Sequence, residues 1–279
     1  MAGMLSMVGT PIGNLQDASP RVLDTLRAAD VLLCEDTRVT SKLLARFDIR
    51  VPLVRCDENV LGLRMGETLA RVDCGERVAF VSDAGMPGVS DPGQKLVDAA
   101  LEQGLPVEVI PGPSAVICAL VASGLPMDHF FFEGFLPRKA GARERRLREL
   151  AAVPGALVFY ESPHRVVATL EALAEIYPLR RVALVRELTK LHEEVVRDVA
   201  PALLECVRER GEVRGECVLV VEGPVADEGE DATQRGAELQ EAIAAGLEAG
   251  ESKSRLARKL AKQFSIPRAE VYDHIIDYS

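Results

Sequence analysis

The 279-residue sequence contains no run of about 18 apolar residues, the length a helix needs to cross a bilayer, so no membrane span is expected. Its amino terminus, MAGMLSMVGTPIG, lacks a basic stretch ahead of a long apolar core; it does not read as a secretory leader, and a cytoplasmic location is expected. The six cysteines, Cys34, Cys56, Cys74, Cys118, Cys206 and Cys217, are scattered and lack the close pairing of a zinc site or redox motif, so reduced thiols are expected. No GxGxxG follows the first apolar run: GTPIGN keeps only the outer spacing of a nicotinamide-binding fingerprint. No GKS or GKT exists, which excludes a P-loop. HEE at His192 lacks the second histidine of a zinc helix, and His129, His164 and His274 are widely separated, so no metal site is expected. Ser82 and Ser90 stand in no GxSxG elbow, which weakens a hydrolase reading. Positive charge is also in short supply, with 33 Lys and Arg against 43 Asp and Glu and a net charge of −10. That balance argues against a nucleic-acid partner held by overall charge.

Local excess hides inside the negative total. RKAGARERRLR, Arg138 to Arg148, carries six basic residues and one acid, and Lys253 to Arg268 holds six more with none. Such runs are either phosphate-docking surfaces or ordinary solvated helix faces.

The stretch around which the chain is organised is VAFVSDAGMPGVSDPG, Val78 to Gly93. Val78 to Val81 has the composition of a strand buried on both faces in a parallel sheet. Gly85, Pro87, Gly88, Pro92 and Gly93 then prevent any continuation as strand or helix, leaving a long loop with exposed amides at a strand's carboxyl end. In open α/β sheets ligands bind there, and long structured loops tend to be functional; the alternative is a plain connection between strand and helix.

Upstream, Leu5 to Val8 reads as a strand followed by GTPIGNLQD, then a helix from Pro20 to Ala29 capped by Asp17 or Ser19. Val31 to Cys34 ends in the charged cluster Glu35 to Arg38; a helix near Ser41 to Phe47, a strand at Pro52 to Val54 and a helix from Val60 to Val72 follow. Beyond the organising loop come a helix Gln94 to Gln103, a strand Val107 to Ile110 and a third loop, PGPSA, opening a helix Ala115 to Ala122. The alternation predicts a doubly wound parallel sheet. Past Pro126 a second unit begins with FFFEGFL, the basic helix and strands at Ala156 to Tyr160, Arg181 to Val185 and Cys217 to Val221, with helices Pro163 to Ile176 and Pro201 to Arg210 between them. EGPVADEGED, Glu222 to Asp231, has the composition of a linker, and helical periodicity returns at Leu239 to Leu247 and in two short helices broken by Ile266 and Pro267. The expected organisation is an α/β domain over 1–125, a second over 126–224, and an acidic linker with a small helical unit over 225–279. Three Gly- and Pro-rich loops, Gly9 to Asn14, Ser82 to Gly93 and Pro111 to Ala115, would line one cleft suited to a flat nucleoside with a polar tail.

The series VGTPIGNLQD, CEDTR, FVSDAGMPGVSDPG, VIPGPSA, FFFEGFLPRK, FYESPHR and VRELTKLHEE resembles, in order and spacing, the motifs of the ribosomal RNA small subunit methyltransferase I family, over Met7 to about Glu222. That family belongs to the tetrapyrrole methylase superfamily. The resemblance implies two α/β domains holding S-adenosylmethionine between them, 2′-O-methylation of a cytidine ribose in the decoding region of small-subunit RNA, free or in the assembled subunit, and a homodimer. Two departures stand out: Met86 occupies the place of a threonine in DAGTPG, and CDEN, Cys56 to Asn59, replaces a histidine-bearing stretch. By position, the resemblance puts Pro11, Ile12, Asp83, Ala84, Gly85, Met86, Ser114 and Ala115 against the cofactor.

Methyl transfer to a ribose hydroxyl needs the oxygen held about 3 Å from an activated carbon. A general base or nearby cation typically contributes about 10²–10⁴-fold. Glu161, His164 and Arg165 in ESPHR, and Arg186, Glu187, Lys190 and His192 in the second unit, are the polar residues best placed at strand ends; Glu187, Lys190 and Glu161 are the catalytic candidates. Each alternatively serves as a cap or an interdomain ion pair. Two other classes fit parts of the chain: a methyltransferase acting on a tetrapyrrole or other small molecule, and a non-catalytic RNA-binding module.

Overall fold

The computed structural model describes residues 3–89, 93–224, 239–247, 251–264 and 268–277. Ser90, Asp91 and Pro92 of the organising loop, the linker residues 225–231 and the helix breakers Ile266 and Pro267 lie outside the described residues. The chain divides into two compact units, Met1–Gly223 and Pro224–Ser279.

The first unit opens with β1 (Met4–Val8), α1 (Pro20–Ala28), β2 (Val31–Cys34), α2 (Thr37–Arg46), β3 (Leu53–Arg55), α3 (Leu61–Asp73), β4 (Arg77–Val81), α4 (Gly93–Glu102), β5 (Val107–Ile110) and α5 (Ala115–Ser123). Its five strands form an all-parallel sheet in the order β3-β2-β4-β1-β5. β1, β2 and β4 are apolar almost throughout because helices cover both faces: Leu5, Leu33, Val78 and Phe80 pack on one side, and Val8, Leu32, Ala79 and Val81 on the other. Ser19 caps α1 by accepting from Val22 N–H, and Pro20 stands in its first turn, as the sequence pattern requires. The connections leaving β1 and β4 run in opposite directions on opposite faces of the sheet, so the loops after these adjacent central strands flank the sheet's switch point.

The second half comprises β6 (Phe130–Phe135), α6 (Ala140–Leu150), β7 (Ala156–Glu161), α7 (Val166–Ile176), β8 (Arg181–Arg186), β9 (Glu194–Val199), α8 (Ala200–Arg210) and β10 (Cys217–Val221). These strands make a mixed sheet, β6-β7-β10-β8-β9, parallel only between β6 and β7. β9 was not expected from the sequence. It is an edge strand, paired Arg181↔Val199 to Arg186↔Glu194, and its interleaved charges mask the period-2 signal while suiting an exposed edge. RELTKLHEE, Arg186 to Glu194, therefore spans the end of β8, the hairpin loop and the first residue of β9.

α5 ties the halves together. Val116, Ala119 and Leu120 bury against Val158, Ala183, Val185, Val218 and Val220 of the second sheet, each large side chain contributing about 1.5–3 kcal/mol of apolar burial. The second unit, by itself, packs the helical residues 239–247 (α9) with α10 (Lys253–Phe264) and α11 (Arg268–Asp277) around Leu239, Ile243, Leu256, Leu260, Val271 and Ile275.

Candidate functional site

The three loops expected to converge do so. Thr10 N–H donates to the Gly85 carbonyl at 2.8 Å and Gly85 N–H to the Thr10 carbonyl at 3.1 Å, a two-residue antiparallel bridge stitching the loop after β1 to the loop after β4. The third loop is joined by backbone contact, since Gly9 and Gly112 lie so close that a Cβ on Gly112 would come within 2.6 Å of Gly9. Met86 closes the junction: its thioether accepts from Gly112 N–H at 3.2 Å, which gives the departure from threonine a structural role.

From the second sheet, the β8–β9 loop reaches this junction. Asn14 N–H donates to Thr189 Oγ1 at 3.0 Å, and Gly13 is packed against Leu188, Thr189 and Lys190. Glu187 and Thr189 have φ of 50° and 62°, a left-handed backbone that side-chain-bearing residues rarely adopt and that is typical of functional loops. This turn presents Lys190, whose Nζ lies 2.9 Å from Glu187 Oε1 and 2.9 Å from Glu216 Oε2. Glu187 also accepts from Glu216 N–H at 2.9 Å. The Lys190 hydrogen bond and the Glu216 amide hold the Glu187 carboxyl below its ordinary value. Partial burial works to lower the Lys190 ammonium, but its bonds to Glu187 and Glu216 outweigh this and leave it above its ordinary value. Lys190 is thus a fixed cation rather than a base.

Two cavities open at the junction. The larger, about 380 Å³, is walled by Ile12, Val185, Leu188 and Val218 and by the aromatics Phe135 and Tyr160, with Ala84, Gly85, Met86, Ser114 and Ala115 along one side. Ser114 is the N-cap of α5, yet its hydroxyl makes no capping bond. Burial pushes the Tyr160 phenol and the Cys217 thiol up, the latter to about 11. The smaller cavity, about 330 Å³, is bordered by Thr10, Pro11, Asp83, Lys42 and Lys190. Ile12, Ala84 and Glu216 belong to both. Burial and the neighbouring Asp36 carboxylate push the Asp83 carboxyl up, although it accepts from Asp36 N–H at 3.0 Å.

All eight residues expected against a cofactor border one cavity or the other: Pro11 and Asp83 the smaller, Gly85, Met86, Ser114 and Ala115 the larger, Ile12 and Ala84 both. Of the catalytic candidates, Glu187 and Lys190 form one ion-paired cluster. Glu161 lies on the wall of the larger cavity, 3 % exposed, with both oxygens engaged by Ser162 N–H at 2.8 Å and Thr169 Oγ1 at 2.7 Å, and with Arg165 Nε at 3.3 Å. Its carboxylate anchors the start of α7, each oxygen already accepting a hydrogen bond. Arg165 and Arg186 are turned to structural partners, the Leu136 carbonyl and Glu194, and His164 and His192 are exposed. Glu216, which borders both cavities, was not singled out from the sequence: a lone acid before a buried strand carries no local signal. The basic run on α6 is partly internal, since Arg143 is buried and Arg146 is bound to Glu133 and Glu149.

Residues 4–204 match the family model described as Tetrapyrrole (Corrin/Porphyrin) Methylases. A Synechocystis sp. protein named ribosomal RNA small subunit methyltransferase I is 39 % identical over 97 % of this chain and 96 % of its own length. A protein of the same name from Halalkalibacterium halodurans is 45 % identical over 79 % of this chain and 76 % of its own. Among solved structures, a uroporphyrin-III C-methyltransferase from Thermus thermophilus, complexed with S-adenosylhomocysteine, superposes with a TM-score of 0.56 at 22 % identity, over 79 % of this chain and 97 % of that one.

Proposed function

Because the chain belongs to the tetrapyrrole methylase family and, within it, to the ribosomal RNA small subunit methyltransferase I family, we propose that it transfers a methyl group from S-adenosylmethionine to the 2′-oxygen of a cytidine ribose in the decoding region of small-subunit ribosomal RNA. The observation that carries this reading is the pairing of an apolar nucleoside-sized cavity with a polar one across Ile12, Ala84 and Glu216. The larger cavity fits the cofactor: Ile12, Val185, Leu188 and Val218 offer a flat apolar slot, while the free Ser114 hydroxyl and the amino end of α5 suit a polar, negatively charged tail. When bound there, S-adenosylmethionine supplies a sulfonium-activated methyl group.

The chain's own residues supply positioning and charge. Lys190, held by Glu187, stabilises the negative charge that grows on the acceptor oxygen as its proton leaves, and Glu216 at the boundary of both cavities accepts that proton. Glu161 keeps the larger cavity's wall in place through Thr169 and Ser162. Exposed Arg138, Lys139 and Arg145 near α6 support RNA engagement by residues 126–224, and the exposed basic face of α10 supports the same role for residues 225–279. Residues 1–125 carry the three loops. The exposed apolar side chains Ile117, Val121, Met127, Phe130 and Phe131 support a homodimer, and the reading places the protein in the cytoplasm with the ribosome.

The test offers labelled S-adenosylmethionine with either small ribosomal subunits or a porphyrinogen. Label in subunit RNA alone is expected; label in the porphyrinogen alone would move the protein to small-molecule methylation.

A further inference from the structure

The smaller cavity has features that cofactor binding does not use. Thr10 is 3 % exposed, its backbone is pinned on both sides by Gly85, and its Oγ1 has no hydrogen-bond partner. Its polar neighbours are committed: Ser82 Oγ donates to the Ala84 carbonyl at 3.3 Å, and Asp83 accepts from Asp36 N–H. Buried hydroxyls are nearly always paired, so an orphan beside a cavity points to a partner that arrives with a ligand. At the same cavity Lys42, exposed on α2, forms no ion pair among the described residues. The space of about 330 Å³ is sufficient for one nucleotide and far too small for a duplex.

Resting on the methyl-transfer reading, we propose that this cavity is an acceptor pocket for a single ribonucleotide swung out of its RNA, with Thr10 hydrogen-bonding the nucleoside and Lys42 pairing with an adjoining phosphate. Enzymes that modify a nucleotide commonly extrude it into such a pocket, reading it by hydrogen bonds while the flanking phosphates meet cations. The shared border at Ile12, Ala84 and Glu216 brings the acceptor against the methyl donor, with Lys190 on the acceptor's side of that border. Thr10 and Lys42 are recognition residues and take no part in the chemistry.

The test uses the full-length protein with Thr10→Val, Thr10→Ser and Lys42→Ala. Thr10→Val keeps the side chain's shape and removes an unpaired buried hydroxyl, so melting temperature is expected to stay level or rise. Its kcat/KM for small ribosomal subunits is expected to fall about tenfold, the scale of one lost hydrogen bond, with S-adenosylmethionine affinity by calorimetry within twofold of wild type. Thr10→Ser restores activity, and Lys42→Ala raises KM while flattening its salt dependence. A second readout is binding of a fluorescent single-stranded oligoribonucleotide containing cytidine, at saturating S-adenosylhomocysteine. Weaker binding by Thr10→Val supports the pocket even if no methyl reaches ribosomal RNA, a result that would instead sink the wider functional reading. Wild-type kcat/KM and oligonucleotide affinity in Thr10→Val, or a loss of cofactor affinity in that variant, overturns the proposal.

Discussion

Gly13 packs directly against the β8–β9 loop, and replacing it with alanine moves the Lys190 turn without altering any charge. A Cβ there would lie 2.6 Å from Lys190 Cγ, 2.7 Å from the Leu188 carbonyl oxygen and 2.7 Å from Thr189 Oγ1, well inside the 3.4 Å at which ordinary contact begins. The lysine stem can swing aside, but the Leu188 carbonyl is backbone in a turn already held at left-handed φ on either side. One of the two loops therefore shifts, at a cost of about 1–3 kcal/mol of overpacking. For a unit of this size that lowers the melting temperature by about 2–4 °C per kcal/mol. The larger effect is catalytic, because a displacement near 1 Å at a reacting centre can cost about 10²-fold in rate. Single-turnover methyl transfer to small ribosomal subunits at saturating S-adenosylmethionine reads that step directly. Gly13→Ala with wild-type melting temperature and wild-type turnover would refute the claim that this contact sets the position of Lys190.

Lys190→Ala is expected to lower kcat about 10²–10⁴-fold with cofactor affinity retained, and Glu187→Ala to lower it less; full activity in both would make the cluster structural. The pH dependence of stability follows from the same pair: the lowered Glu187 carboxyl stabilises the fold above its ordinary 4.5 and loses that contribution as pH falls through its folded value, whereas the raised Lys190 ammonium contributes below 10.5 and is lost as pH rises through its own. Urea titrations of wild type and Lys190→Met should therefore diverge least at the two pH extremes. Among the thiols, burial pushes Cys34 up and Cys56 and Cys217 to about 11, so alkylation mapped by mass spectrometry at neutral pH should mark the exposed Cys74 and spare these three; rapid labelling of Cys56 would contradict the buried placement. Deleting residues after Asp231 is expected to leave S-adenosylmethionine binding intact and to weaken subunit engagement with a shallower salt dependence, because exposed Lys253, Arg255, Arg258 and Lys259 leave with it. Unchanged subunit affinity with loss of the dimer would assign those residues to an ordinary solvated face.

The first sheet was legible because its central strands are apolar almost throughout and its ligand-side loops begin abruptly in Gly and Pro, signals that survive without any knowledge of partners. The second sheet was legible only in its buried strands: β9 escaped because an edge strand needs no apolar alternation, and its first residues follow directly on the Lys190 turn. The convergence of Gly9, Gly85 and Ser114 loops follows from strand polarity, which is why the cofactor candidates all fall at the cavities. What sequence order does not carry is how bonding capacity is distributed once side chains meet. Glu161 is saturated by Ser162 and Thr169, whereas Thr10, an ordinary residue in GTPIGN, is left with an orphan hydroxyl. Nothing in the order of the basic run from Arg138 separates its members, yet Arg143 is buried and Arg146 binds Glu133, a partner 13 positions away.

Small subunits purified from cells lacking this protein, incubated with the enzyme and S-adenosylmethionine, can be digested and mapped by mass spectrometry. A single added methyl group on the 2′-oxygen of a cytidine in the decoding region, absent without enzyme, is expected. An unmodified RNA, or a methyl placed on a base rather than a ribose, would contradict the proposed function.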